Sequence, residues 1–170
     1  MSVTALKRLS VEASPKAAVS TITISNRQRL KKIDLRLLKK IVASLLAELK
    51  IESANLEINL VGAAEMTLLN ETFLQHKGST DVVTFNYKNS ESRIQNPELH
   101  GEIFVCVDEA ISQAKQFKTN WQSEIVRYIV HGILHLNGYG DLRADLRRKM
   151  KREENRLLRQ LFRCFALSKL

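Results

Sequence analysis

Apolar and polar positions follow two periods along the chain from residue 21 onward. Thr21–Ser25 (TITIS) and Asn55–Val61 (NLEINLV) alternate with period two and are rich in β-branched residues, which predicts two strands. Thr80–Tyr87 (TDVVTFNY) and Gly101–Val107 (GEIFVCV) predict two more. Between the first two, Leu35, Leu38, Ile41, Val42, Leu45, Leu46 and Leu49 recur at helical spacing, and Asp34 is placed to cap a helix reaching about Lys50. Ala63 to about Phe73 predicts a short helix, and residues 88–100 a polar loop. Asp108 is placed to cap a helix through about Phe117. Thr119 and Gln122 fit a capping box opening a helix that ends near Asn137, where Gly138 supplies a residue tolerant of positive φ. Ala144 to about Phe165 predicts a long final helix.

This order predicts an α/β (α+β) fold, a small mixed sheet of about four strands packed with helices. Residues 1–20 lack periodicity and read as a flexible tail, leaving residues 21–170 as a single domain. The most apolar stretch, Ile125–Leu136, carries Arg127 and two histidines and is too short for a membrane span, so it predicts a buried helix. Lys7 and Arg8 are not followed by the apolar run of a signal peptide, so the expected location is the cytoplasm. Cys106 and Cys164 form no CxxC pair and are expected to be buried thiols.

Charge adds a pattern. The net charge is +9, distributed as +8 over residues 1–50, −6 over residues 51–141 and +7 over residues 142–170. Two basic ends flanking an acidic middle suit a polyanion such as RNA, and equally suit solvated helix surfaces.

The main chemical signal is His131-Gly-Ile-Leu-His135. Histidines at i and i+4 share a helix face about 6 Å apart along the axis, which lets two imidazoles converge on one metal ion. Two hydrogen-bonded core histidines would give the same pattern. Gly138, Tyr139 and Gly140 then turn the chain back, and Asp141 can reach the same ion. Two histidines and a carboxylate suit zinc or another divalent metal, with positions left for water. Gly132 occupies the position where metalloproteases of this spacing carry their general base Glu. Glycine there permits a strand or substrate to approach the helix closely.

The run His131-Gly-Ile-Leu-His135-Leu-Asn-Gly-Tyr139 resembles the H-G-x-L-H-L-x-G-Y-D-H signature of the YbeY endoribonuclease (rRNA maturation factor) family. Leu69-Asn70 with Phe73, then Ser79 to Phe85, and Gly101-Glu102-Ile103-Phe104 are similar to two further blocks of that family, in the same order. Together they span roughly residues 20–160. The resemblance implies a zincin-like metal helix with one Zn2+ per chain. It implies single-strand-specific RNA cleavage in 16S rRNA 3′-end maturation and ribosome quality control, with ribosomal RNA and the small ribosomal subunit as partners. Two positions depart from it. Asp141 stands where the family has its third histidine, with Gly140 in place of the preceding Asp. Leu74 stands where the family has an arginine thought to hold phosphate, with His76 and Lys77 close by.

The metal set expected is therefore His131, His135 and Asp141. No side chain stands out as general base, which makes a water on the metal the simplest nucleophile. His76, Lys77 and Asp81 are weak catalytic candidates, and Thr80-Asp81 should open a strand near the cleft if the fold follows the resemblance. His100 reads as a solvated loop residue, and Trp121 as core. Arg147, Arg148, Lys149, Lys151, Arg152, Arg156, Arg159 and Arg163 make the last helix basic, either to track RNA phosphates or as a solvated face, while Glu153 and Glu154 can pair with nearby cations. Two alternatives share these residues: a metallopeptidase-like hydrolase, which lacks its base at Gly132, and a non-catalytic ribosome- or rRNA-binding factor, which Leu74 favours. A purely structural zinc site would be expected to carry more cysteine.

Overall fold

A computed structural model of the protein describes residues 20–75, 77–87 and 98–170. Through them run β1 (Thr21–Asn26), α1 (Leu35–Glu48), β2 (Ala54–Val61), α2 (Ala63–Leu69), β3 (Val82–Asn86), β4 (Leu99–Cys106), α3 (Val107–Phe117), α4 (Trp121–Leu136) and α5 (Ala144–Cys164). The strands form one mixed sheet in the order β1-β2-β4-β3. β1, β2 and β4 are parallel, and β3 lies antiparallel to β4 at the edge. This is the expected fold class. The tail expected over residues 1–20 lies outside the described residues except for Ser20, and so does most of the expected loop, whose last residues Leu99 and His100 open β4. Among the described residues no helix is long and apolar enough to cross a membrane.

Each face of the sheet buries its own cluster. On one face Leu56, Ile58 and Ile103 meet Leu38, Ile41 and Leu45 of α1 and Ile125, Ile129 and Ile133 of α4. Burying side chains of this size stabilises by about 1.5–3 kcal/mol each, before the entropy of ordering them is subtracted. On the opposite face Val83, Phe104 and Cys106 pack on Met66 of α2, with Phe85 stacked edge-on against Phe73. A π-helical turn, Asn70–Leu74, ends this α2 segment, so the helix expected to run to Phe73 changes its winding after Leu69.

Helix caps follow the sequence in part. Asp34 caps α1, its Oδ1 accepting hydrogen bonds from the Arg36 and Leu37 amides at 2.9 and 3.0 Å. Asp108 does not cap its own helix: α3 begins one residue earlier at Val107, and the Asp108 carboxylate accepts the Ala63 amide at 2.8 Å. It thereby serves the start of α2, whose N-cap Gly62 has no side chain to offer. The capping box expected at Thr119 is also displaced. Asn120 is the cap, accepting from the Ser123 amide at 2.8 Å, and Thr119 donates its hydroxyl to Glu124.

Two glycines set how closely α4 lies on the sheet. A Cβ on Gly132 would stand 3.0 Å from the Ile103 side chain and 3.2 Å from that of Thr84. A Cβ on Gly101 would stand 2.6 Å from the Phe85 carbonyl and 2.7 Å from Leu136. Gly132 therefore admits strands β3 and β4, not a substrate. Cys106 is buried as expected, but Cys164 is exposed, because the last turn of α5 carries it on the helix's outer side.

Candidate metal centre

The last turns of α4 present both histidines, and the helix terminates in a Schellman motif. The Tyr139 amide donates to the Leu134 carbonyl and the Gly138 amide to that of His135, both at 3.0 Å, with Gly138 at φ +90°. That turn aims the Tyr139 carbonyl back at the helix and delivers Asp141 beside it. His131 Nε2 and His135 Nε2 lie 3.0 Å apart, and Asp141 Oδ2 lies 3.7 Å from His135 Nε2. One ligand atom from each of these residues falls within 4.8 Å of the others.

The second ring nitrogens are occupied. His131 Nδ1 donates to Glu154 Oε2 at 3.1 Å, and His135 Nδ1 donates to the Tyr139 carbonyl at 3.0 Å. A carboxylate and a carbonyl only accept, so in each neutral ring the proton sits on Nδ1 and Nε2 carries a lone pair. Two lone pairs then face each other at 3.0 Å. A cation between them removes that repulsion, and nitrogens bound tetrahedrally at zinc's bond lengths would stand about 3.3 Å apart. The donor set thus fits a divalent ion. Burial and the nearby His131 lower the His135 pKa, against the opposing pull of Asp141 and the Tyr139 carbonyl, which favours the neutral, metal-binding ring.

Glu154 was missed as a site residue. It was legible only as a local ion-pair partner, yet it shares a stripe with buried Met150, Leu157, Leu158 and Leu161, which could have flagged it as buried. It is 3% exposed and accepts from His131, from Arg127 at 2.9 Å and from Lys151 at 2.7 Å. Burial pushes its carboxyl up, but the hydrogen bonds from His131, Lys151 and Arg127 outweigh burial and hold it at about 2.

The other candidates divide. Asp81, just before β3, lines the cleft beside His131 and Asp141, and its Oδ1 accepts from Thr80 and the Val82 amide. Lys77 is exposed and does not line that cleft, and His76 lies outside the described residues. Leu74 is half-exposed on the π-helical turn, next to Phe73, which packs on Phe85 on the sheet face away from α4. His100 sits in β4, not in a loop, on that same far face, edge-on to Tyr87. Trp121 is partly buried against the core, with the Lys31 ammonium 5.7 Å above its ring.

Known proteins share this arrangement of sequence. The profile of the family described as Endoribonuclease YbeY matches residues 23–162. The Endoribonuclease YbeY of Chlorobium phaeovibrioides is 36% identical over 124 residues, covering 73% of this chain and 80% of the relative. That of Syntrophotalea carbinolica is 31% identical over 135 residues, covering 78% and 90%. The solution structure of TM1509 from Thermotoga maritima has the same fold, with a TM-score of 0.60 at 23% identity over 84% of this chain and 89% of that one. From the profile and these relatives, the chain belongs to the YbeY endoribonuclease family.

Proposed function

We propose that the protein is a metal-dependent endoribonuclease in which His131, His135 and Asp141 hold one divalent ion, with zinc the best fit to the donors. The observation that carries this is the convergence of two Nε2 lone pairs and a carboxylate oxygen on one point, with both Nδ1 protons already committed. Family membership supplies the reaction class. Neither alternative gains support: the Gly132 position faces the sheet, so a peptidase would have no base there, and relatives named as endoribonucleases do not favour a non-catalytic factor.

A divalent ion bound there supplies Lewis acidity toward a phosphate oxygen and acidifies water. The residues around it hold and orient. Glu154 and the Tyr139 carbonyl fix the two rings in the tautomer that exposes Nε2. Among the described residues Asp81 is the one catalytic candidate in the cleft, and its role there is to accept a proton. The finer reading is single-strand-specific cleavage of ribosomal RNA on the small subunit, in 16S rRNA 3′-end maturation and ribosome quality control in the cytoplasm. It rests on family membership and the two basic ends.

The test measures metal by elemental analysis and cleavage of single-stranded RNA on the same samples of wild type, His135→Ala, Asp141→Ala and Asp81→Asn. Expected are about one zinc per wild-type chain with chelator-sensitive cleavage, metal loss in the first two variants, and retained metal with reduced turnover in the third. Wild-type metal content and cleavage in His135→Ala would sink the assignment.

A further inference from the structure

The cleft beside the histidines has a volume of about 280 Å³ and is lined by three cations, Arg127, Arg147 and Lys151. Two of them are spent. Arg127 pairs with Glu154 at 2.9 Å and Glu124 at 3.4 Å, and Lys151 pairs with Glu154 at 2.7 Å. Arg147 differs: among the described residues no carboxylate pairs with it, and its Nε donates to the Asp141 main-chain carbonyl at 3.1 Å. That bond pins the guanidinium against the residue that offers the third ligand atom, while its two terminal nitrogens keep four N–H donors free. A planar fork of this kind matches phosphate oxygens in pairs.

The lining residue on the β3 side is Asp81, an acid that repels a phosphate, so an anion entering the cleft is held toward α5, where Arg147 stands. Tyr128 also lines the cleft, is 5% exposed, and has a hydroxyl with no hydrogen-bond partner. Leaving a buried hydroxyl unpaired costs about 1–3 kcal/mol, so an acceptor carried into the cleft relieves it. An unspent guanidinium and an unpartnered hydroxyl both call for a ligand rich in acceptors.

We propose that Arg147 is the phosphate-holding residue of this cleft, its terminal guanidinium nitrogens gripping a non-bridging oxygen of RNA next to His131 and Asp141, with the Tyr128 hydroxyl as a second donor. The inference rests on the endoribonuclease reading for the identity of the ligand. It puts the phosphate grip on α5, on the other side of the sheet from Leu74.

The experiment uses the zinc-loaded full chain and two probes, a cleavable single-stranded RNA and an uncleavable counterpart with methylene in place of the bridging phosphate oxygens, which keeps the charge and the non-bridging oxygens. The variants are Arg147→Ala, Arg147→Lys, Tyr128→Phe and, as a control for net charge, Arg159→Ala. Arg159 is an exposed residue of the same helix, about 18 Å further along its axis. Expected for Arg147→Ala are unchanged zinc content and melting temperature, at least tenfold weaker binding of the uncleavable RNA, and a salt-dependence slope smaller by about 0.7, one phosphate's worth for a single strand. Arg147→Lys should recover part of the binding, Tyr128→Phe should lose several-fold, and Arg159→Ala should match wild type. Arg147→Ala binding as wild type does, or Arg159→Ala losing as much as Arg147→Ala, overturns the inference. The cleavable probe separates the two claims. If wild type binds but never cuts, the endoribonuclease reading falls while the binding comparison still decides the role of Arg147.

Discussion

Glu154 of α5 accepts a hydrogen bond from His131 Nδ1 of α4 at 3.1 Å, so the orientation of one imidazole is set by a helix that begins after the turn carrying Asp141. A buried carboxylate behind a histidine fixes the ring and raises the basicity of its other nitrogen. Arg127 and Lys151 hold that carboxylate in turn.

Removing the charge while keeping the shape should therefore weaken the metal site without emptying it. Glu154→Gln is expected to lower zinc affinity about 10- to 100-fold, read by competition with a chromogenic chelator. Unchanged affinity would show that His131 does not depend on this bond.

The same residue should mark acid stability. Its carboxyl titrates at about 2 in the folded chain, against an ordinary value of 4.5. A depressed folded value means the stabilisation is complete above pH 4.5 and drains away as pH falls toward 2. Metal-free wild type should lose roughly 3 kcal/mol over that window that Glu154→Gln does not lose. Urea unfolding of both proteins at pH 6 and about pH 2.5 tests the difference, and parallel losses would contradict it.

The close approach of α4 to the sheet predicts unequal costs for two alanines. Gly101→Ala forces a methyl against the Phe85 main-chain carbonyl at 2.6 Å, which has no rotamer to move. A destabilisation of about 1–3 kcal/mol or more is expected. The atoms nearest a Gly132→Ala methyl belong to the side chains of Ile103 and Thr84, and alanine's helix preference returns up to about 1 kcal/mol. Gly132→Ala should be the milder substitution by urea midpoint, and the reverse order would refute the packing account.

The two thiols should react very differently. Cys106 is buried and its pKa is pushed up to about 11, chiefly by burial, whereas Cys164 is exposed. Iodoacetamide at pH 8 should label Cys164 alone in the native protein and both residues in urea. Mass spectrometry of the labelled peptides reads the outcome, and fast native labelling of Cys106 would contradict its placement.

Much of this was legible in the sequence because it is local. The alternation over residues 55–61, the apolar spacing from Leu35 to Leu46, the Asp34 cap and the stop at Gly138 each depend on neighbours in the chain. The closeness of His131, His135 and Asp141 was legible for the same reason, since they span eleven residues. What was misread involves partners distant in sequence. An acid in the first turn looks alike whether it caps its own helix or another, so Asp108 was assigned to α3 although it serves α2, 45 residues away. Glu154 read as a helix-surface charge because its partners Arg127 and His131 lie on another helix. The free guanidinium of Arg147 was hidden among the cations of α5, and only the three-dimensional pairing separates it from those that are spent.

The compactness of the ligand set along the chain bears on how the metal relates to folding. An ion held by residues 131, 135 and 141 closes only short loops, and the entropy that a cross-link removes from the unfolded chain grows with loop length. Such an ion staples one helix end to its own turn and leaves β1, α1 and β2 untied. The apolar clusters on the sheet's two faces supply the fold's cohesion without it. On the proposed site the scaffold would therefore persist without an ion, and an ion bound there would add stability by mass action, in step with its supply in the surroundings.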